Sequence, residues 1–393
     1  MNSHPPSPPE TTPTREFLPF HRPTLGPAEE AAVLEVLRSG WLTTGSRTKA
    51  FEAAFSQLVG VEHAIAVSSC TAALHLALRL LEIGPGDEVL VPTTTFAATA
   101  NVVVHLGARP VLCDVDPVTL TIDPVDAQAR ITARTRAIMP VHLGGYPCAM
   151  PELLALAAAH GLHVIEDAAH AIETEMAGKH AGAHGTFGAF SFYPTKSITT
   201  GEGGMLVTGR ADLAARGRIL ALHGLSQDAW KRYTKEGSAH YEVVAPGFKY
   251  NLTDLAAAIG LVQLERLASF YVEREQLAHA YAEQLRGLPV TWQPLDVEGG
   301  RAAYHLFILL LDRELAPRRD ELALALKARQ IGTSIHFRPL HLMPYYAETY
   351  GYRPEDLPVA ADVYARSLSL PLYPAMTRAD VDYVAGELRA LLA

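Results

Sequence analysis

Short apolar runs and helix-length segments alternate from residue 64 to residue 167, and this rhythm limits the folds open to the chain more than any other feature. Residues 64–67, 88–91, 110–115, 137–142 and 163–167 read as strands, bounded by turn residues such as Gly84-Pro-Gly-Asp87. Residues 71–81, 96–106 and 151–160 carry helical patterns between them. Strands separated by helices need crossover connections, so the expectation is an α/β protein with a mostly parallel sheet covered by helices on both faces, a three-layer domain. Ligands of such sheets sit beyond the carboxyl ends of the strands.

The remainder changes character. A helix is expected from Pro27, with two acids in its first turn, to Ser39-Gly40, its buried side marked by Ala31, Val33, Leu34 and Leu37. Residues 41–45 form a polar turn holding Trp41, Thr43 and Thr44, open to a plain loop or to substrate contact. After residue 208 comes a helix to about 222, then an irregular His- and Tyr-rich stretch to 241. Helices are expected over 251–267 and 270–285, strands over 304–311 and 332–337, and helices over 320–328 and 378–392. The expected division is a disordered tail over 1–16, a large domain over 17–267 and a smaller α+β domain over 268–393.

Composition narrows the function. The 393 residues are 49% hydrophobic and 19% charged, enough for a large core, and the net charge of −9 comes without any basic run, which argues against nucleic acid as a partner. No stretch of eighteen apolar residues occurs, and the first fourteen residues lack the apolar centre of a signal peptide. Cys70, Cys113 and Cys148 have no metal-ligand spacing and read as free thiols, so no metal and a cytoplasmic location are expected.

Within that frame one lysine stands out. Residues 187–192 and 205–208 read as buried strands, and Lys196 lies on the loop between them, followed by small and hydroxyl residues. A lysine by itself is most often a solvated side chain. At the edge of an apolar pocket, however, burial disfavours the ammonium and favours the nucleophilic amine, the condition for a covalent bond to an aldehyde cofactor such as pyridoxal phosphate.

Other segments keep company with that lysine. In Ala66-Val-Ser-Ser-Cys-Thr71-Ala a strand turns into a helix, so the amides near Ser69, Cys70 and Thr71 can hold a phosphate or merely begin a capped helix. In Val164-Ile-Glu-Asp167-Ala-Ala-His170 a carboxylate ends an apolar strand, where it would be costly unless it met a cation such as a protonated pyridine nitrogen, or unless it capped a helix. His170 follows three residues on, one turn away, and Ser191 precedes Lys196 by five. Phe96 is available to stack on a flat ring or to pack in the core.

These same motifs, Ser191-Phe-Tyr-Pro-Thr-Lys196-Ser-Ile-Thr-Thr-Gly-Glu-Gly-Gly204, Glu166-Asp-Ala-Ala-His170 and Val91-Pro-Thr-Thr-Thr-Phe-Ala-Ala-Thr-Ala-Asn101, resemble the DegT-type nucleotide-sugar aminotransferases. Those are pyridoxal-phosphate enzymes of the aspartate-aminotransferase fold, PLP fold type I, and the resemblance runs from about Phe17 to the C-terminus. Phe17-Leu-Pro-Phe-His-Arg-Pro23, Ser39-Gly-Trp-Leu-Thr-Thr-Gly45, His223-Gly-Leu-Ser-Gln-Asp-Ala-Trp230, Ala245-Pro-Gly-Phe-Lys-Tyr-Asn-Leu-Thr-Asp254 and Gly332-Thr-Ser-Ile-His-Phe-Arg338 look most like the members that make UDP-4-amino-4-deoxy-L-arabinose.

The resemblance implies Lys196 as the Schiff-base lysine, Asp167 as partner of the pyridine nitrogen, His170 near the ring and Phe96 stacked on it. It implies Ser191, Thr71 and the backbone of Cys70 on the phosphate. It also implies a homodimer in which Lys249 and Asn251 reach the cofactor of the neighbouring subunit, with His336, Trp41, Thr43 and Thr44 facing the substrate. The implied reaction moves an amino group from L-glutamate, leaving 2-oxoglutarate, to C4 of a nucleotide-linked keto sugar for polysaccharide or lipopolysaccharide synthesis. Two departures stand against the pattern: Cys70 replaces a frequent Gly, and Tyr193-Pro194 is closer to members acting on 3-keto sugars. Amination at C3, an aromatic-amino-acid synthase of the same fold and a regulatory relative without turnover are the alternatives.

Overall fold

The computed structural model describes residues 15–226 and 241–393. The expected tail, save residues 15 and 16, and most of the His- and Tyr-rich stretch, including the end of the His223 to Trp230 motif, lie outside the described residues.

The first part of the chain comprises α1 (Pro27–Ser39), α2 (Ser46–Val59), β1 (His63–Val67), α3 (Cys70–Leu80), β2 (Glu88–Pro92), α4 (Ala98–His105) and β3 (Arg109–Cys113). It continues through α5 (Pro124–Ala129), β4 (Thr135–Ile138), α6 (Met150–His160), β5 (His163–Asp167), β6 (Glu175–Met176), β7 (Lys179–His180), β8 (Phe187–Ser191), β9 (Gly204–Thr208), α7 (Ala211–Ala221) and α8 (Asp254–Gln284). Seven of the strands form one sheet in the order β1-β9-β8-β5-β4-β2-β3. The pairs from β8 through β5, β4 and β2 to β3 are parallel, and β9 alone runs against its neighbours β1 and β8.

Alternation along the strands explains the layers. On β2, Val89 and Val91 join a core with Leu74, Leu78 and Val103 on one face, whereas Leu90 packs with Met150 and Leu153 on the other. Phe190, Met205 and Val207 meet Phe51 and Phe55 of α2 and Phe270 of α8. A period of two with both faces covered is what a sheet carrying helices on both sides demands. All strands but β9 therefore end at the same edge, and the loops after β1, β2, β5 and β8 gather there.

Beyond α8 come β10 (Val290–Trp292), β11 (Gly300–Arg301), β12 (Phe307–Leu311), α9 (Arg319–Ala328), α10 (Pro344–Tyr350), α11 (Pro358–Arg366), β13 (Ser367–Leu370) and α12 (Arg378–Leu392). The sheet β10-β12-β13 is antiparallel and has its own core, in which Phe307, Leu309 and Leu370 meet Leu326, Val384 and Tyr281.

Several expectations are corrected. The two helices expected over 251–267 and 270–285 are one helix, α8, of 31 residues from Asp254 to Gln284, because nothing between them breaks the backbone ladder. One stretch of α8 is apolar enough to cross a membrane, yet Ala257, Leu267, Phe270 and Tyr281 are buried against the two cores. Residues 332–337 are not a strand; they make only isolated bridges, Leu18 to Ile331 and Ser334 to Ser369. Gly332 passes so close to the N-terminal segment that a Cβ there would sit 2.7 Å from the Phe20 nitrogen.

On α1 the expected face is also wrong. Leu34 and Leu37 are 46% and 50% exposed and Ala31 is exposed, whereas Glu29 and Val36 are buried. The cause is a polar contact: the Glu29 carboxylate accepts from Gln263 Nε2 (2.6 Å), Arg266 Nη1 (2.7 Å) and the Gly26 amide (2.9 Å). A buried ionised acid is stable only with such donors, and they turn the helix on its axis.

Helix α2 had no expectation attached, and its cap explains why. Gly45 at its N-cap has no side chain to offer; the Asp254 carboxylate accepts instead from the amides of Gly45 (2.8 Å), Arg47 (3.2 Å) and Thr48 (2.9 Å) and from Thr48 Oγ1 (2.7 Å). The first turn of α2 thus depends on a residue more than 200 positions away. Asp254→Ala should destabilise the protein by about 3 kcal/mol, since it strands buried donors of a charged acceptor, and Asp254→Asn by about half as much. Urea unfolding of the three proteins measures the difference.

Candidate active site

The loop between β8 and β9 carries Lys196 to the carboxyl edge of the sheet. The Lys196 amide donates to the Tyr193 carbonyl (2.9 Å), and Thr200 and Thr199 bond back to the Phe192 carbonyl, so the loop is a closed turn. Burial is the main influence on the Lys196 amine and lowers its pKa from 10.5 to about 8, against the opposing fields of Cys70 and Asp167.

Asp167 ends β5 and is 5% exposed. Its carboxylate accepts from Thr99 Oγ1 (2.9 Å) and the Ala169 amide (3.1 Å), with the Cys70 thiol at 3.9 Å. Burial pushes this carboxyl above the usual range, and among the described residues it makes no ion pair. Its neighbour Glu166 points the other way and is saturated by the amides of Gly182, His184 and Gly185 and by His142 Nε2. The His142 Nδ1 accepts from the Cys148 amide (3.1 Å), which makes Nε2 the donor to Glu166. Of two adjacent buried acids, one is fully bonded and the other faces the site without a cation.

His170 lies on a turn after β5 rather than on a helix, so Asp167 is not a helix cap. The Gly144 amide donates to His170 Nδ1 (3.3 Å), fixing a neutral ring, and burial holds its pKa well below the ordinary value. Its ring stacks toward Phe337 at 6.0 Å and lies 4.4 Å from that of His305. His336 hangs over the same space, bonded through Nδ1 to Ser369 Oγ (2.9 Å), and its pKa is lowered to about 4, mainly by burial and then by Lys196.

The turn between β1 and α3 borders the other side. Ser69 is the N-cap, its Oγ accepting from the Ala72 amide (3.1 Å), which leaves the amides of Cys70 and Thr71 as first-turn donors without an intrahelical carbonyl. Gly204 on β9 sits between Val67 and Ser191, and a Cβ there would be 2.5 Å from the Cys70 nitrogen. Gly204 therefore lets β9 pass against the first residues of α3, next to Ser191 on β8. Phe96 is 64% exposed, which excludes the core reading, and lies 6.0 Å from Phe337.

Lys196, Asp167, Cys70, His170 and His336 are thus gathered around one space, with Thr71 and Ser191 at its rim. A second group is bonded within itself: Lys249 Nζ donates to Asn251 Oδ1 (2.6 Å), Asn251 Nδ2 to Thr44 Oγ1 (2.7 Å) and Trp41 Nε1 to the Thr44 carbonyl (3.1 Å). The Thr43 carbonyl accepts from the Asp254 amide (3.2 Å). No hydrogen bond or ion pair among the described residues joins this group to Lys196.

Some members of the site carried no sequence expectation. Thr99 was visible as a hydroxyl one turn beyond Thr95 and Phe96, and it bonds both Thr95 Oγ1 (2.8 Å) and Asp167. His305, and the buried pair of Arg274 with Glu173, gave no local signal because their partners are remote in sequence.

The residues present fit pyridoxal phosphate. A buried acid with no ion pair among the described residues suits a protonated pyridine nitrogen, the unpaired first-turn amides of α3 suit a phosphate, and an amine with a lowered pKa suits an aldehyde.

Comparison with known proteins agrees. Residues 23–389 match the DegT/DnrJ/EryC1/StrS aminotransferase family. The spore coat polysaccharide biosynthesis protein SpsC of Bacillus subtilis is 48% identical over 96% of this chain and 97% of its own length. Spr1654 of Streptococcus pneumoniae, described as a sugar aminotransferase and solved in a PLP form, superposes with a TM-score of 0.89 at 30% identity over 95% of this chain and 98% of that one. DesI, solved in the presence of its TDP-sugar product, gives 0.83 at 34% identity over 96% and 93%. With the fold, the site and these likenesses in agreement, the chain belongs to the DegT/DnrJ/EryC1/StrS aminotransferases, enzymes of PLP fold type I that depend on pyridoxal phosphate.

Proposed function

We propose that the protein transfers an amino group from L-glutamate to C4 of a nucleotide-linked keto sugar, with Lys196 as the catalytic residue. The observation that carries this reading is the pairing of a buried amine of lowered pKa with a buried carboxylate that lacks a cation, at the edge of the sheet where the α3 amides open. The nucleotide-linked acceptor is supported by DesI and its TDP-sugar product, and a role in polysaccharide amino sugars by SpsC.

Pyridoxal phosphate supplies an electrophilic carbon and a ring that draws electrons from the carbon losing its proton. In this proposal Asp167 holds the ring nitrogen protonated, and Thr99 and Ala169 keep its carboxylate oriented. The amides of Cys70 and Thr71 and the hydroxyl of Ser191 bind the phosphate; only the amide of residue 70 is needed, so a Cys in place of Gly is accommodated. His170, neutral and fixed by Gly144, would lie beside the ring, and the exposed Phe96 would cover it. Lys196 would hold the cofactor through its amine and, when that amine is free, would move the proton at the substrate carbon bonded to nitrogen. His336 and the loop of Trp41, Thr43 and Thr44 face the substrate.

Lys249 and Asn251 are assigned to the cofactor phosphate of a second subunit. The exposed apolar residues Leu34, Leu37, Trp41 and Leu42 beside that loop offer surface for such a homodimer. The three unpaired thiols suit a cytoplasmic enzyme. A second reading, amination at C3, is favoured by Tyr193-Pro194 directly before the catalytic loop.

Two measurements test this. In the cofactor-free protein, Lys196 should acylate with a midpoint near pH 8, protonated and unreactive below it and a free amine above it, whereas a reference lysine amine follows only at about pH 10.4. Peptide mass mapping across pH separates them, and a midpoint near 10.5 at Lys196 would contradict the site. Lys196→Ala should bind pyridoxal phosphate only non-covalently and lose turnover by at least about a thousandfold. A panel of 3-keto and 4-keto nucleotide sugars offered to the amine form of the cofactor, with the aminated carbon assigned by NMR, decides between C4 and C3.

A further inference from the structure

The loop that bears Lys196 is held from outside by two donors, each aimed at a backbone carbonyl close to the lysine. On one side His21 Nε2 lies 2.8 Å from the Pro194 carbonyl, two residues before Lys196. A carbonyl can only accept, so Nε2 carries the proton and Nδ1 is bare. On the other side Arg274 Nη1 donates to the Ser197 carbonyl (3.4 Å) while its other nitrogen pairs with Glu173. Arg274 and Glu173 are both buried and their pairing has an evident structural purpose. Among the described residues His21 has no such second purpose; there its ring meets the edge of Tyr373, at 5.9 Å.

His21 belongs to an N-terminal arm that is pinned at other points. Leu18 exchanges backbone bonds with Gln330 and Gly332 (2.8 Å each), Phe20 stacks on His336 at 5.2 Å, and the Thr24 carbonyl accepts from Gln263 (3.1 Å). The arm would stay in place without the imidazole. What the imidazole adds is a rigid strut from that arm to the loop, at a spot where it feels the fields of Arg274 and Lys196 and where His305 also lies within reach.

We propose that His21 is a positioning residue for Lys196, acting through its bond to the Pro194 carbonyl to keep the loop seated and the amine out of water. This rests on the assignment of Lys196 as the catalytic amine. Burial is the main influence lowering the pKa of that amine, so a loop freed on the Pro194 side lets water in and returns the amine toward its ordinary value. His21 stays neutral in this position, because its own pKa is lowered to about 4, by burial first, and the strut does not change charge over the working range of the enzyme.

The test uses the full chain with two variants. His21→Phe keeps a ring against Tyr373 and removes the donor, and His21→Gln restores a neutral N–H near the position of Nε2. In the cofactor-free proteins the pH midpoint of Lys196 acylation should rise by about one unit in His21→Phe, cutting its reaction rate at pH 7 about tenfold, and return to the parent value in His21→Gln. Equal midpoints in all three proteins would overturn the proposal, as would a rise in both variants alike, which would mark the effect as packing. Borohydride fixation of pyridoxal phosphate on the parent protein separates the two layers: failure to label Lys196 refutes its catalytic assignment, whereas labelling with unmoved midpoints refutes only His21.

Discussion

An amine and a carboxyl group face one space at the carboxyl edge of the sheet, each feeling the other's field without forming an ion pair. Burial raises the pKa of Asp167 and lowers that of Lys196, so both are pressed toward their neutral forms. A protein assembling such a pair for stability alone would close the gap or replace both with apolar side chains. Here Thr99 and Ala169 hold the carboxylate in place while the loop bonds hold the amine apart from it. The arrangement is stable in its own right only at a cost, and it gains from a ligand that brings a cation to one end and an electrophile to the other.

The neighbouring histidines serve the same balance. His170, His305 and His336 lie near an ammonium and are buried, and each has its pKa lowered. A charged imidazole at any of these places would repel the lysine. Neutral rings instead present flat faces: His170 toward Phe337, and His336 toward Phe20. The buried groups Glu166, Arg274 and Glu173 have their partners in the layers behind.

The sheet and its crossing helices were legible because their causes are local: runs such as Val89-Leu-Val91 alternate between two cores, and the turn residues mark where the chain reverses. The places of Asp167, at the end of such a run, and of Lys196, on the loop between two of them, were legible for the same reason. The features that escaped have remote causes. Helix α2 is begun by Asp254, α1 is rotated by Gln263 and Arg266, and the segment before Phe337 fails as a strand because it is met only at Leu18 and Ser369. Phe96 was ambiguous for a related reason: whether an aromatic is core or cover depends on what lies opposite, and opposite it lies Phe337 from the far end of the chain.

Helix α8 connects these remote causes. Asp254 at its first turn fixes α2 and the loop of Thr44, and Gln263 further along reaches the arm at Thr24, Glu29 of α1 and the Thr199 amide on the Lys196 loop. Three turns further Arg274 reaches the Ser197 carbonyl, and Tyr281 near its end donates to the Pro371 carbonyl beyond β13 (3.0 Å). A helix broken at residue 268 could not keep these contacts in one register, because rotation of either half by a single residue turns its side chains by about 100°. The unbroken ladder of α8 therefore sets the position of the Lys196 loop relative to the Thr44 loop and the C-terminal sheet, and the length of that helix is a property of the active site as much as of the fold.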